Sequence, residues 1–318
     1  MSKTALICGV SGQDGAYLAH LLLTKRYNVI GTSRDISKNS FLNLEKLDIK
    51  SKIITISMNF DDIKNIIKIL DKYEPVEIYN LSGQSSVSLS FAQPAEAFKS
   101  ISLAQLNLLE AVRVCNRNIR IFNAGSGEVF GDTGCEPANE ETPFKPRSPY
   151  AVAKANGYWK VANYREVYDI FACTGLLFNH ESSLRQQQFV TQKIISGAKQ
   201  IASGNLNSIV LGNLNIVRDW GWAPEYVEAM WLMLQNPCPG DYIIATGTSS
   251  CLREFTEKIL NHFGLKFDDH VQIDNSLFRP VDIKTVRADP SKAKNQLGWK
   301  SKVTLDELIK KMSNSLLF

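Results

Sequence analysis

Neither metal, membrane nor nucleic acid has much to hold in this chain. Its four histidines do not cluster, and its six cysteines (Cys8, Cys115, Cys135, Cys173, Cys238, Cys251) lie scattered without metal-ligand spacing, so no metal is expected. The net charge of +4 is modest, and no basic cluster with interleaved aromatics suggests a nucleic-acid partner. No apolar run approaches membrane-spanning length, and the polar start Met-Ser-Lys lacks a secretory core. The expectation is a soluble, reduced, cytoplasmic protein. Repeats and low-complexity linkers are also missing. What remains is 318 residues, enough for one large domain or two with ample core.

The first apolar run, residues 4–8 (Thr-Ala-Leu-Ile-Cys), suits a buried parallel strand. It ends at Gly9-Val-Ser-Gly12-Gln13-Asp14-Gly15, ahead of the helix-like Ala16-Tyr-Leu-Ala-His. Gly9 permits a tight turn, Gly12 lets backbone approach a pyrophosphate, and Gly15 allows close helix–strand packing. The helix start adds unpaired N–H groups and positive potential for phosphate. A second strand around Asn28 ends in Ser33-Arg34. An acid there suits the ribose 2′-hydroxyl of NAD, whereas an arginine suits a 2′-phosphate, so Arg34 favours NADP over NAD. Asp35 follows directly and could pair with Arg34 or repel phosphate.

Further strands fall near 53–57, 77–81, 119–123 and 171–178, alternating with helical segments. That alternation predicts a Rossmann-type, doubly wound parallel α/β sheet. Cys8 and Cys173 fall in such strands and read as small apolar fillers. Beyond Asn179 the pattern loosens into shorter elements, with a final helix at about 304–316. The expected division is a dinucleotide-binding domain over 1–178, with returning segments near 212–237 and 283–290. Residues 179–318 form mainly a smaller C-terminal α/β substrate lobe.

Ligands of such sheets bind at the carboxyl ends of strands. There, Leu81-Ser82-Gly83-Gln84-Ser85 offers small residues beside a nicotinamide, and Asn123-Ala-Gly-Ser126-Gly-Glu128 offers a carboxylate. In Ser148-Pro149-Tyr150-Ala-Val-Ala-Lys154, Ser148 reads as an N-cap and Pro149 as the first helical residue. Tyr150 and Lys154, four apart, project from one face. A tyrosine ionises near pH ~10, and the lysine is expected to pull it towards neutrality, making a usable base.

With these residues assembled, the chain resembles the extended short-chain dehydrogenase/reductases, and within them the GDP-mannose 4,6-dehydratase family. The segments carrying the resemblance include GVSGQDGAY (9–17), IYNLSGQS (78–85), TPFKPRSPYAVAK (142–154), LFNHES (177–182), FVTQKI (189–194), RDWG (218–221) and the Phe278-Arg-Pro turn. The resemblance implies catalysis by Ser126, Glu128, Tyr150 and Lys154. It implies cofactor contacts from the Gly9–Gly15 turn including Gln13 and Asp14, from Arg34 and Asn59, from Leu81, Ser82 and Gln84, and from His180 and Arg185. Ser85, Glu128, Asn179, Val190, Lys193, Arg218 and Arg279 fall where the family holds the nucleotide sugar, the two arginines suiting its phosphates. The activity implied is conversion of GDP-mannose, or a related GDP-hexose or GDP-heptose, to the 4-keto-6-deoxy sugar by a homodimer or homotetramer.

Several positions depart from the family's pattern. Gly125-Ser126-Gly127-Glu128 lacks the hydroxyl usual at 127, Asn59 replaces an aspartate, Asp35-Ile-Ser-Lys replaces paired arginines and serines, and Ser-Ser-Leu-Arg-Gln-Gln-Gln follows Glu181. Two rivals stay open at this point. One is an NADPH-dependent reductase or epimerase of a GDP-4-keto-6-deoxy sugar; the other is a non-catalytic protein that kept the fold.

Overall fold

The computed structural model describes residues 2–318. Twelve strands form three sheets: β1 Thr4–Cys8, β2 Asn28–Ser33, β3 Ile54–Ser57, β4 Glu77–Asn80, β5 Arg120–Ala124, β6 Ala172–Leu177, β7 Asn179–Glu181, β8 Ile209–Leu211, β9 Val217–Trp222, β10 Tyr242–Ile244, β11 Ser249–Cys251 and β12 Val271–Ile273. The main sheet has seven parallel strands in the order β10-β6-β5-β4-β1-β2-β3. All six strands expected in the first half are present. Its seventh strand, β10, comes from outside the segments expected to return to the sheet. Three residues long, it carries too little pattern to be recognised alone.

Alternation across β1 explains why the sheet must be covered on both faces. Ala5 and Ile7 pack with the helices Gln13–Thr24 and Ala223–Gln235. Leu6 and Cys8 face the other way, onto Ile63–Tyr73, Ala104–Cys115 and Pro149–Tyr168. Cys8 and Cys173 are both fully buried, and burial pushes their thiols up to about 12 and about 11, as fillers require.

Strand order reverses between β1 and β4, and this opens a crevice at the carboxyl ends of the strands. Over it lie the small sheets β11-β9-β7 and β12-β8. They have their own core, which includes Ile194, Ile209, Trp220, Phe255 and Leu308. The last helix is Leu305–Ser313, started by a Thr304–Glu307 capping box. No helix among the described residues is long and apolar enough to cross a membrane.

Candidate active site

A cleft of about 390 Å³ occupies the crevice. One wall begins at the first turn. Gly9 has φ +85°, and a Cβ on Gly15 would lie 2.4 Å from the Gly9 carbonyl and 2.7 Å from Val10 Cα. Gly12 is the N-cap of the first helix and leaves its opening amides without a side-chain acceptor. This cradle fits a pyrophosphate. Further along, Gln84 donates to the Ser86 carbonyl (2.6 Å), while its Oε1 is buried without a partner at the cleft lining. An orphaned acceptor there suits a ligand carrying N–H groups, such as a carboxamide.

Other residues expected at this wall are tied to one another, and Asp14, His180 and Arg185 also line the cleft. Gln13 is buried, donates to the His180 carbonyl (3.1 Å) and accepts from Ser182 (2.8 Å). His180 Nδ1 faces the Phe178 carbonyl (2.7 Å), Nε2 faces Asp14 (2.9 Å), and the ring stacks on Tyr226. Burial pushes His180 down, but Asp14's charge and these hydrogen bonds raise it overall. Asp14 is likewise pushed up by burial yet ends at about 2, because His180, Gln13 and Arg185 favour the carboxylate. Arg185 lies 3.2 Å from Glu181 without hydrogen-bonding it, and sits over the Phe189 ring at 3.6 Å.

Arg34 and Asn59 lie beyond the cleft lining, at the ends of β2 and β3. Arg34 is exposed and, among the described residues, pairs with Glu96 (3.3 Å), while Asp35 turns to Ser37 and Lys38 and makes no ion pair with Arg34. Asn59 accepts from the Asp61 amide (3.0 Å). Ser82 donates to Asn80 (2.6 Å), and Leu81 and Ser85 line the cleft.

Ser148 caps the helix Pro149–Tyr168 by accepting from Ala151 N at 3.1 Å, with Pro149 in its first turn. This aims Tyr150 and Lys154 into the cleft, with the Lys154 ammonium 5.7 Å from the Tyr150 ring centroid. The expected lowering of the phenol is not found. Burial raises Tyr150 to about 12, the carboxylate of Glu128 adds to that, and the Ser126 hydrogen bond only partly offsets both. Lys154 cannot compensate: it donates to the Ala124 carbonyl (2.7 Å), and burial holds it down at about 8. A cation entering beside Tyr150, as an oxidised nicotinamide is, would pull the phenol down.

Ser126 is buried and starts the tight turn Gly127–Phe130, accepting from Glu128 N (3.3 Å). Glu128 faces the cleft, its Oε1 lying 3.7 Å from Arg218 Nε. Arg218, expected at the nucleotide sugar, lines the cleft, with Nη1 donating to the Val217 carbonyl (2.9 Å) and Nη2 to that of Ile283 (2.9 Å). Asn179, Val190, Lys193 and Arg279 line the same cleft, Lys193 donating to the Val210 carbonyl (2.7 Å).

Several lining residues escaped sequence reasoning. Thr191 donates to the buried Glu181 (2.8 Å), and Trp220, Leu252 and Asp282 complete the far wall. Glu181, an acid at the end of β7, was the one readable signal. Among the described residues no cluster of metal-binding side chains forms.

A Rossmann-type sheet whose strand ends gather a glycine turn, a tyrosine and a lysine four residues on defines the extended short-chain dehydrogenase/reductase class. The fold is shared with Thermus thermophilus UDP-glucose 4-epimerase in complex with NAD (TM-score 0.86, 22% identity, 98% of each chain). It is shared also with RMD from Pseudomonas aeruginosa complexed with NADPH (TM-score 0.82, 18% identity, 99% of this chain and 98% of that one). Within this class the chain belongs to the GDP-mannose 4,6 dehydratase family, whose model matches residues 6–312. It is 42% identical to GDP-mannose 4,6 dehydratase 1 of Arabidopsis thaliana over 98% of this chain and 88% of that one.

Proposed function

We propose that the protein is a hydro-lyase that converts GDP-mannose to the GDP-4-keto-6-deoxy sugar, using tightly bound NADP. The observation that carries this is the convergence of Glu128 with Ser126, Tyr150 and Lys154 on one cleft, because oxidation at C4 needs a proton acceptor and elimination needs a second one. In this reading residues 1–178 hold the dinucleotide and residues 179–318 mainly hold the nucleotide sugar.

A dinucleotide bound across the glycine turn supplies a reversible hydride store, so the overall reaction consumes no reductant. The chain's own groups move the protons. Ser126 holds the sugar 4-hydroxyl, and Tyr150 as phenolate accepts its proton while Lys154 polarises the pair. The resulting 4-ketone acidifies the C5 hydrogen, which Glu128 removes. Glu128 then returns that proton to the departing 6-hydroxyl, which leaves as water; a hydride from the dinucleotide would return to C6 and a proton to C5, giving the 4-keto-6-deoxy sugar. Arg34, exposed at the end of β2 with only a surface ion pair to break, supports NADP over NAD. Titration should show tighter NADP than NAD, with Arg34→Ala removing the preference. A homodimer through the helices Ala104–Cys115 and Pro149–Tyr168 fits their exposed Val114, Val152 and Trp159. Sedimentation equilibrium showing a monomer would end that part of the reading.

Mass spectrometry of the product tests the reaction. The protein should remove one water from GDP-mannose without added NADPH, whereas a reductase would need NADPH stoichiometrically. Glu128→Gln should cut dehydration by about 10²–10⁴-fold. Full dehydration by that variant refutes Glu128 as the base.

A further inference from the structure

Taking the dehydratase reading as given, we propose that the π-helical turn Phe98–Leu103 is a spacer that sets the loop after β4 against Tyr150. Ile101 and Lys160 then act as positioning residues for the redox step. Neither of them lines the cleft.

The turn lies inside one continuous helix, since Ala97 before it and Ala104 after it both keep right-handed helical backbone. A π turn shifts the hydrogen-bond ladder by one residue, and such turns gather at functional sites. Here three consecutive residues reach three parts of the site.

Ser100 faces the loop that carries Leu81, Ser82 and Gln84. Its Oγ accepts from Gln84 N (3.3 Å) and donates to the Glu96 carbonyl (2.6 Å). Gly83 has φ +114°, and a Cβ there would lie 3.0 Å from the Ser100 carbonyl and 3.1 Å from Ile101 Cγ1. Loop and turn are thus already in contact.

Ile101 is buried and packs with Tyr150 and Ala153 in a small cluster of its own. A β-branched side chain on a helix has little rotamer freedom, so it makes a stiff stop for the phenol ring.

Ser102 ties the turn to the helix Pro149–Tyr168. Lys160 donates to its carbonyl and to its Oγ (2.9 Å), and that Oγ donates to Asn156 Oδ1 (2.5 Å). Asn156 and Lys160, four apart, share one face of the helix that begins with Tyr150. The separation between the nicotinamide side of the cleft and the phenol is therefore set by one short piece of helix, clamped at both ends. Oxidation at C4 tolerates little error in that separation.

Steady-state assays with GDP-mannose and titrations with NADP on the full chain test the spacer. Lys160→Met keeps the aliphatic stem and loses the donor. It should lower kcat about tenfold with KM within about twofold, and weaken NADP about threefold although Lys160 lies outside the cleft lining. Lys160→Arg, which can still donate to the carbonyl and the hydroxyl, should recover most of both. Ser100→Ala should act in the same direction from the other end. Because both ends serve one spacer, the double variant Ser100→Ala/Lys160→Met should lose clearly less kcat than the product of the two single losses. Losses that multiply in full would mean two independent contacts and overturn the proposal, as would wild-type kcat and NADP affinity in Lys160→Met. Should Lys160→Met fail to fold, Ile101→Val decides: kcat about threefold lower at unchanged KM supports the spacer, and wild-type kcat overturns it. A wild-type protein that binds NADP but leaves GDP-mannose intact would end the dehydratase reading; the NADP titrations of Lys160→Met and Ser100→Ala would still decide the spacer.

Discussion

Along the dinucleotide side of the cleft, every chemical group stands within a few residues of a strand end or a helix start. Gly9 follows β1, Leu81 follows β4, Ser126 and Glu128 follow β5, and Tyr150 opens its helix. The opposite side is assembled from β7, the start of the helix Val190–Ala202, the end of β8, β9 and the 275–286 loop, so residues a hundred positions apart in the chain meet across it. The first side is fixed by the long parallel sheet. The second is fixed by short strand pairings and by side chains reaching over gaps, as Arg218 does to the carbonyls of Ile283 and Lys284. Rigidity on the second side therefore leans more on contacts between segments distant in the chain.

The largest expected effect contrasts a glycine from each side. In Gly15→Ala the new Cβ would lie 2.4 Å from the Gly9 carbonyl and 2.7 Å from Val10 Cα, both backbone atoms that cannot turn away. A loss on the order of 3 kcal/mol or more is expected, with dinucleotide binding abolished. Gly212→Ala instead brings a Cβ to 3.1 Å from the Leu277 carbonyl, on a loop where Leu277 is 49% exposed and able to give way. Its melting temperature should move by no more than a few degrees. Comparable losses in the two variants would break the contrast.

The same difference sets how much could be read from sequence. The strand–glycine–helix turn, the N-cap at Ser148 and the pair Tyr150–Lys154 are local patterns, and each stands where the pattern put it. The loop acid Glu128 was legible because it follows a strand by four residues. What was not legible depended on environment. Tyr150 is raised because burial outweighs its neighbours, and Lys154 turns its ammonium to a carbonyl thirty residues away; spacing along a helix encodes neither. The commitment of Arg218 to backbone and the arrival of β10 in the sheet were hidden for the same reason, since both arise from contacts distant in sequence.

A medium effect is expected where the two sides join, at the Asp14–His180 contact between the first helix and β7. Asp14→Asn removes a charge-assisted hydrogen bond, so a loss of about 1.5–3 kcal/mol is expected where the pair is complete. The sign with pH follows from both partners. Asp14 is held low, so its contribution is present above its unfolded value near ~4 and disappears as pH falls towards about 2. His180 is raised, so its contribution is full below ~6.5 and fades as pH climbs through its folded value. Melting curves of the two proteins should thus differ most between about pH 4 and 6.5 and converge on either side. A difference that is flat from pH 3 to 9 would mean the contact is not ionic.

The smallest effect separates stability from chemistry by removing one hydroxyl from each side. Ser148 and Thr304 cap the helices Pro149–Tyr168 and Leu305–Ser313 in the same way, each accepting from the third helical amide (3.1 and 3.4 Å). Substitution by alanine should cost about 1 kcal/mol in either place, because an orphan amide is left at a helix start. The functional outcomes should diverge. Behind Ser148 the first turn carries Tyr150, whose hydroxyl in the proposed reaction meets the sugar oxygen within hydrogen-bonding tolerance, so a frayed turn should lower kcat about tenfold. Behind Thr304 the first turn carries no cleft residue, and kcat should stay at the wild-type value. If Thr304→Ala depresses kcat as much as Ser148→Ala does, the far lobe is transmitting order to the catalytic helix. The two sides of the cleft would then form a single cooperative unit.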